Sequence, residues 1–247
     1  QHVAQQDFLP VDDEKLGHTL RQTINELIYQ TFRAHPYDEP DFAQVTLDAL
    51  TQLGFPRLDN PAATTIFEAL RIRKARELFP DALTTLAMLQ KRGFILGVVT
   101  NRFWGGPPFV EDMYEIGLLD YFDPDCMAIS ADLGIRKPNP AIFMHALNAL
   151  RIAPAETAMV GDSLSADIAG ANQLNIFPIW KPSPRMIAEV KAALPPDQAY
   201  LNDKHLIPYA RRRSMEQGRP LPETAKPGLI IEQLSDLLDI FLEAGVQ

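Results

Sequence analysis

The chain has 247 residues, which at about 150 residues per domain suggests one large or two small domains. Its 46% hydrophobic and 22% charged residues are ordinary for a folded globular protein and exclude wholesale disorder. A net charge of −9 argues against nucleic acid as partner, and no apolar run reaches the length a membrane span needs. A single cysteine, Cys126, can form no internal disulfide, which fits a reducing, cytoplasmic location. No signal-peptide pattern opens the chain. It begins at Gln1 rather than Met, so further residues upstream are expected.

Residues 1–10 read as irregular. From Leu16 to Phe32 apolar residues recur every three or four positions, the stripe of an amphipathic helix. A second such stripe runs from Phe42 to Leu53 and stops at Gly54. Asn60 and Pro61 read as N-cap and first residue of a third helix carrying Ile66, Phe67 and Leu70. No strand signal occurs before residue 77. The pattern then changes. Asp81 is placed to cap a helix with Leu83, Leu86 and Leu89, and Gly93 ends it. Phe94 to Val99 is a continuous apolar run, as expected of a parallel strand buried on both faces. Helices near 109–116, 140–150 and 165–174 alternate with strands near 127–129, 157–160 and 176–180. This rhythm predicts a doubly wound, parallel α/β sheet of Rossmann-like type. Residues 182–226 are polar and proline-rich and read as an insertion, with Arg211, Arg212 and Arg213 in a solvated loop. A strand at 229–231 and a helix from Leu234 to Phe241 close the chain. The expected division is a helical domain over 1–77 and an α/β domain over 78–247.

Three features fall at strand ends, where open α/β sheets place ligands. Thr100 and Asn101 follow the strand at 94–99. Arg136, Lys137 and Pro138 precede the 140–150 helix. Gly161, Asp162 and Ser163, with Asp167, follow the strand at 157–160. A hydroxyl, an ammonium and two carboxylates at one sheet edge suit a metal-bound phosphoryl group, because charge stabilisation and positioning are most of what phosphoryl transfer needs. Phe103 and Trp104 could touch a substrate, but packing is the simpler reading. Asp123 and Asp125 have the spacing of a catalytic acid pair, yet no apolar strand precedes them. The five histidines show no metal-ligand spacing.

The segments LFPDALTTLAMLQKRGFILGVVTN, GIRKPNPAIF and AMVGDSLSADIAGA resemble the second, third and fourth motifs of the haloacid dehalogenase (HAD) superfamily, over about residues 78–181. Residues 12–76 resemble its helical cap. The resemblance implies a HAD-like α/β core with an all-helical cap. By it, Thr100, Asn101 and Lys137 are the catalytic candidates, and Asp162 and Asp167 are acids for Mg²⁺. The Gly-Asp-Ser form with two acids resembles the phosphatases, since the dehalogenase branch usually carries a Ser-Asn form and no metal. The implied substrate is a small phosphorylated molecule. The family's first motif, an Asp-x-Asp pair after a central strand, has no counterpart in the chain. Three readings follow: a phosphatase with its nucleophile outside this sequence, a pseudoenzyme that serves as a binding scaffold, or a motif supplied by another chain. A strand is expected between those ending at Val99 and Val160, from residues outside this sequence, a partner chain or the 182–226 segment folding back, since unpaired interior edges would be costly. The 182–226 segment, lacking a long apolar run, is the least expected source of it. The metal site is expected to be incomplete in this chain, and the chain alone to be inactive.

Overall fold

The computed structural model describes residues 13–55, 58–71, 77–194 and 202–242; the expected irregular stretch over 1–10 and Asp12 lie outside them. These residues form two compact units.

The first unit holds the described residues up to 71 together with 101–109 and 129–136. Its frame is α1 (Asp13–Ala34), α2 (Phe42–Gln52) and α3 (Asn60–Ala69). The apolar stripes read in the sequence meet here: Leu20, Ile24 and Ile28 of α1, Val45, Ala49 and Leu50 of α2, and Ile66 and Phe67 of α3 form one buried cluster. The N-cap of α3 is Asp59, whose side chain accepts the Ala62 N–H, rather than the expected Asn60. The cap has moved one residue because Asp59 is extended and Asn60 already helical. Phe103 and Trp104 pack on this cluster. Trp104 stacks on Phe67 at 5.0 Å and Phe103 lies 5.2 Å from Phe42. The short α6 (Ser130–Leu133) ends at Gly134, whose φ of 68° suits glycine.

The second unit holds 77–100, 110–128 and residues from 137 on. Here α4 (Ala82–Lys91) precedes β1 (Val99–Thr100); α5 (Gly106–Glu115) spans the boundary of the two units and β2 (Ala128–Ile129) follows it. Next come α7 (Pro140–Leu150), β3 (Ala158–Gly161), α8 (Ala169–Gln173) and β4 (Phe177–Trp180). The chain closes through α9 (Pro184–Ala193), α10 (Asp203–Glu216), β5 (Leu229–Ile230) and α11 (Leu237–Ile240). The central ladder is parallel, with β3 on β4 and β4 on β5. β1 pairs with β2 in a separate two-stranded sheet. The alternation of helix and parallel strand is the α/β, Rossmann-like class that the sequence predicts, and α1, α2 and α3 belong to a separate unit.

Several elements differ from expectation, for physical reasons. The run from Phe94 to Val99 is a strand only at its end, because a strand exists by its neighbours and among the described residues β1 pairs with β2 alone. Asp81 makes no cap bond to α4; its carboxylate accepts the Ser235 N–H at 2.8 Å instead. Cys126 lies in a 3₁₀ turn just before β2, and Asp123 caps that turn through the Asp125 N–H. Residues 184–193 and 203–216 are helices, and Arg213 on α10 pairs with Glu189 on α9. These helices bury Val190, Leu206 and Ala210 against Trp180, Leu164 and Ile168. They supply no strand. Among the described residues β1 and β3 stand in different sheets, with no strand between them and no pairing to each other.

Candidate active site

The site is built on the end of β3. Its last residue, Gly161, is level with Trp180 of β4, and the chain then turns sharply. Ser163 starts the turn, its hydroxyl accepting the Ala166 N–H at 3.1 Å. Its carbonyl accepts two N–H groups, from Asp167 at 2.9 Å and Ile168 at 3.1 Å. The second bond spans five residues, so Leu164–Ile168 is a π-helical turn, a widening often found at functional sites. The wide turn swings Asp167 back toward its own start, where Oδ2 accepts the Ser163 N–H at 2.9 Å. Gly161 makes room for this: a Cβ there would stand 2.3 Å from Asp167 Oδ2.

The other oxygen of Asp167 meets the Lys137 ammonium at 2.6 Å. The same ammonium donates to the Val99 carbonyl at 2.6 Å. Lys137 thus ties the end of β1 to the turn after β3, and brings Asp167 within one residue of Thr100. Both charged side chains are largely buried, at 11% and 5% exposure. Asp162 lies beside them on the chain but differs in setting. It is exposed, and its carbonyl accepts the Trp180 indole N–H at 2.9 Å. Asn101 is the half-buried first residue after β1.

Two charged groups were not singled out by the sequence reading. Lys181, the residue after β4, is 7% exposed, with its ammonium 3.6 Å from the centre of the Phe79 ring. Burial pushes this ammonium below the usual lysine range, against the opposing pull of Asp81, Asp162 and Asp236. The signal for it was the one used for Thr100 and Asp162: a polar residue directly after an apolar strand. In the helical unit, Glu39 is buried with the Arg136 guanidinium 3.7 Å away, itself 3.7 Å over the Phe32 ring. Burial pushes the Glu39 carboxyl up, against Ser130 and Arg136, which pull it down. No sequence pattern marks this pair, because Glu39 sits in a turn among other polar residues.

A divalent cation prefers several oxygen ligands. Among the described residues no group of three or more His, Cys, Asp or Glu could hold a metal ion. Asp162 offers an exposed carboxylate, but both oxygens of Asp167 are engaged, one by Lys137 and one by the Ser163 N–H. These residues do not by themselves fit a Mg²⁺ site.

A parallel α/β sheet with a lysine-held acid at a strand end, in a chain that also carries a helical unit, defines a class that comparison with known proteins names. The family model for haloacid dehalogenase-like hydrolases matches residues 12–175, and the chain belongs to that family. It is 34% identical over 148 residues to the phosphoserine phosphatase of Thermus thermophilus, covering 60% of this chain and 55% of that protein. It is 35% identical over 105 residues to the glyceraldehyde 3-phosphate phosphatase of Methanopyrus kandleri, covering 41% and 42%. The chain spans about half the length of the curated relatives it matches. Among solved structures, the 2-haloacid dehalogenase of Pseudomonas syringae pv. tomato superposes with a TM-score of 0.53 at 24% identity, covering 96% of this chain and 85% of that one. That likeness concerns the fold. No helix among the described residues is long and apolar enough to cross a membrane.

Proposed function

We propose that the protein is a cytoplasmic phosphomonoester hydrolase acting on a small phosphorylated substrate. The observation that carries this reading is Lys137, held at once by Asp167 and by the Val99 carbonyl at the end of β1. A buried ammonium fixed to the backbone at a strand end, one residue before Thr100 in the chain, is suited to a phosphoryl oxygen. Lys137 neutralises charge that builds on the phosphoryl group, Thr100 donates a hydrogen bond to it, and Asn101 lines the same strand end. Relatives named as phosphatases support the reading. The attacking carboxylate is carried, in this proposal, by a strand between β1 and β3. Its oxygen bonds to phosphorus as the bond to the leaving alcohol breaks, and water then hydrolyses the acyl phosphate. Dependence on Mg²⁺ belongs to the same proposal, with Asp162 as a ligand and the same strand supplying acids that the described residues lack. So does the division into a helical cap over 1–77 and a core over 78–247.

Inorganic phosphate tests the anion site without chemistry. Lys137→Ala is expected to weaken phosphate binding by about 1.5–3 kcal/mol, the range for a hydrogen bond to a charged group, and Thr100→Ala by about 1 kcal/mol. A titration followed by calorimetry reads both. Equal and negligible effects would remove the site from the proposal.

A further inference from the structure

The arginines 211–213 lie in α10 rather than in the expected loop, and the proposed chemistry gives them no part. Between α9 and α10 a cleft of about 280 Å³ is lined by Glu189, Tyr209, Arg212, Arg213, Glu216 and Gln217. That volume is near the lower end of the range for small-molecule sites, about 300–1,000 Å³. Glu189 of α9 is the fixed post of the cleft. Its Oε1 accepts the Arg185 Nε–H at 2.8 Å, and its Oε2 accepts the Tyr209 hydroxyl at 2.9 Å and an N–H of Arg213. Both oxygens are therefore engaged in holding donors in place. The donors themselves are mostly unused. Arg213 gives Glu189 one nitrogen, Nη1. Arg212 donates no hydrogen bond to the described residues. Its Nε lies 3.8 Å from the Glu216 carboxylate, beyond hydrogen-bond length, and its guanidinium 5.3 Å from the centre of the Tyr209 ring. Arg185, Arg212 and Arg213 set against Glu189 and Glu216 leave one positive charge in excess, in a chain whose net charge is −9.

We infer that this cleft is a binding site for a small phosphate-bearing molecule, held by Arg212 and Arg213. Unused guanidinium donors call for acceptor oxygens, and the planar fork of an arginine meets the oxygens of a phosphate in pairs. Two guanidinium groups match the double charge of a phosphate better than the single charge of a carboxylate. Tyr209 and Glu189 hold the two arginines in place beforehand, so less freedom is lost on binding. Glu216 is the competing anion. Its pair with Arg212 is two-thirds exposed on both sides, and such surface pairs give way at little cost. The inference goes beyond the proposed hydrolysis and does not depend on it.

Inorganic pyrophosphate, without Mg²⁺, is titrated by calorimetry into the full-length protein and into three single variants. The unaltered protein is expected to bind it at this cleft. Arg212→Glu is expected to lose one pyrophosphate site per chain while keeping its melting temperature, since the side chain is exposed. Arg212→Lys keeps the charge but not the fork, and is expected to bind at this site at least about threefold more weakly. Lys137→Ala is expected to leave the site in place, which separates it from any anion bound at the end of β1. No binding by the unaltered protein at millimolar pyrophosphate overturns the inference. So does an Arg212→Glu variant that binds as many pyrophosphates as tightly as before. An Arg212→Lys variant that binds as the unaltered protein does overturns it as well, because diffuse surface charge would then account for the binding. A single site that disappears with Lys137→Ala would assign all the binding to the end of β1 and overturn it too. None of these readouts involves hydrolysis, so a protein that fails to cleave phosphate esters would still report on the cleft.

Discussion

Asp167→Asn is expected to destabilise the α/β unit by about 3–5 kcal/mol, the usual result of removing one partner of a buried ion pair. Asparagine can still accept the Ser163 N–H, so the turn keeps its cap-like bond. What is lost is the charge opposite Lys137, at 2.6 Å and almost without water. The ammonium is left with the Val99 carbonyl, which carries no charge to offset its desolvation. Such a loss is a large part of the roughly 5–15 kcal/mol by which domains are stable. Combining Asp167→Asn with Lys137→Met removes the stranded charge and is expected to recover most of the loss. Urea denaturation of the two variants, compared at equal slope, checks both statements. A single variant as stable as the unaltered protein would mean that the pair is solvated in solution.

Trp180→Ala is expected to cost about 3–5 kcal/mol, the range for removing a large aromatic from a core. Trp180 is fully buried at the end of β4. It is the side chain on which Leu164 and Ile168 of the π turn and Val190, Leu206 and Ala210 of the last long helices converge. Its removal therefore loosens both the turn that aims Asp167 and the helices of the 182–226 segment. Trp180→Phe separates packing from hydrogen bonding, since phenylalanine fills much of the space but cannot donate to the Asp162 carbonyl. That bond is worth about 1 kcal/mol by itself. Thermal and urea melts of the pair of variants give the division.

The parts of the fold legible in the sequence were those fixed by local pattern. The stripes from Leu16 to Phe32 and from Phe42 to Leu53 became α1 and α2, since a period near 3.6 admits one regular structure. Asn139 and Pro140 opened α7 as written, the Asn139 side chain accepting the Ala141 N–H. Strand length was not legible for Phe94 to Val99, because pairing depends on neighbours rather than on the run itself. Asp81 read as a cap and proved a long-range acceptor, 154 residues from Ser235. The 182–226 segment read as an insertion because it is rich in proline and polar residues. Only the Trp180 surface shows why Val190, Leu206 and Ala210 are apolar. For the site, the order Thr100, Lys137, Asp162, Asp167 was visible as polar residues at strand ends. The pairing of Lys137 with Asp167, rather than with a ligand, was not. It arises from the π turn, which no sequence period announces.

The most direct test of the proposed hydrolase is steady-state turnover of p-nitrophenyl phosphate by the full-length protein in the presence of Mg²⁺, with and without Lys137→Ala. Turnover by the unaltered protein is predicted, reduced about 10²–10³-fold in kcat by the substitution, as when one stabilising donor is removed from a developing anion. A folded full-length protein that shows no turnover, or a Lys137→Ala variant that works at the unaltered rate, would contradict the assignment of Lys137 and favour a ligand-binding scaffold.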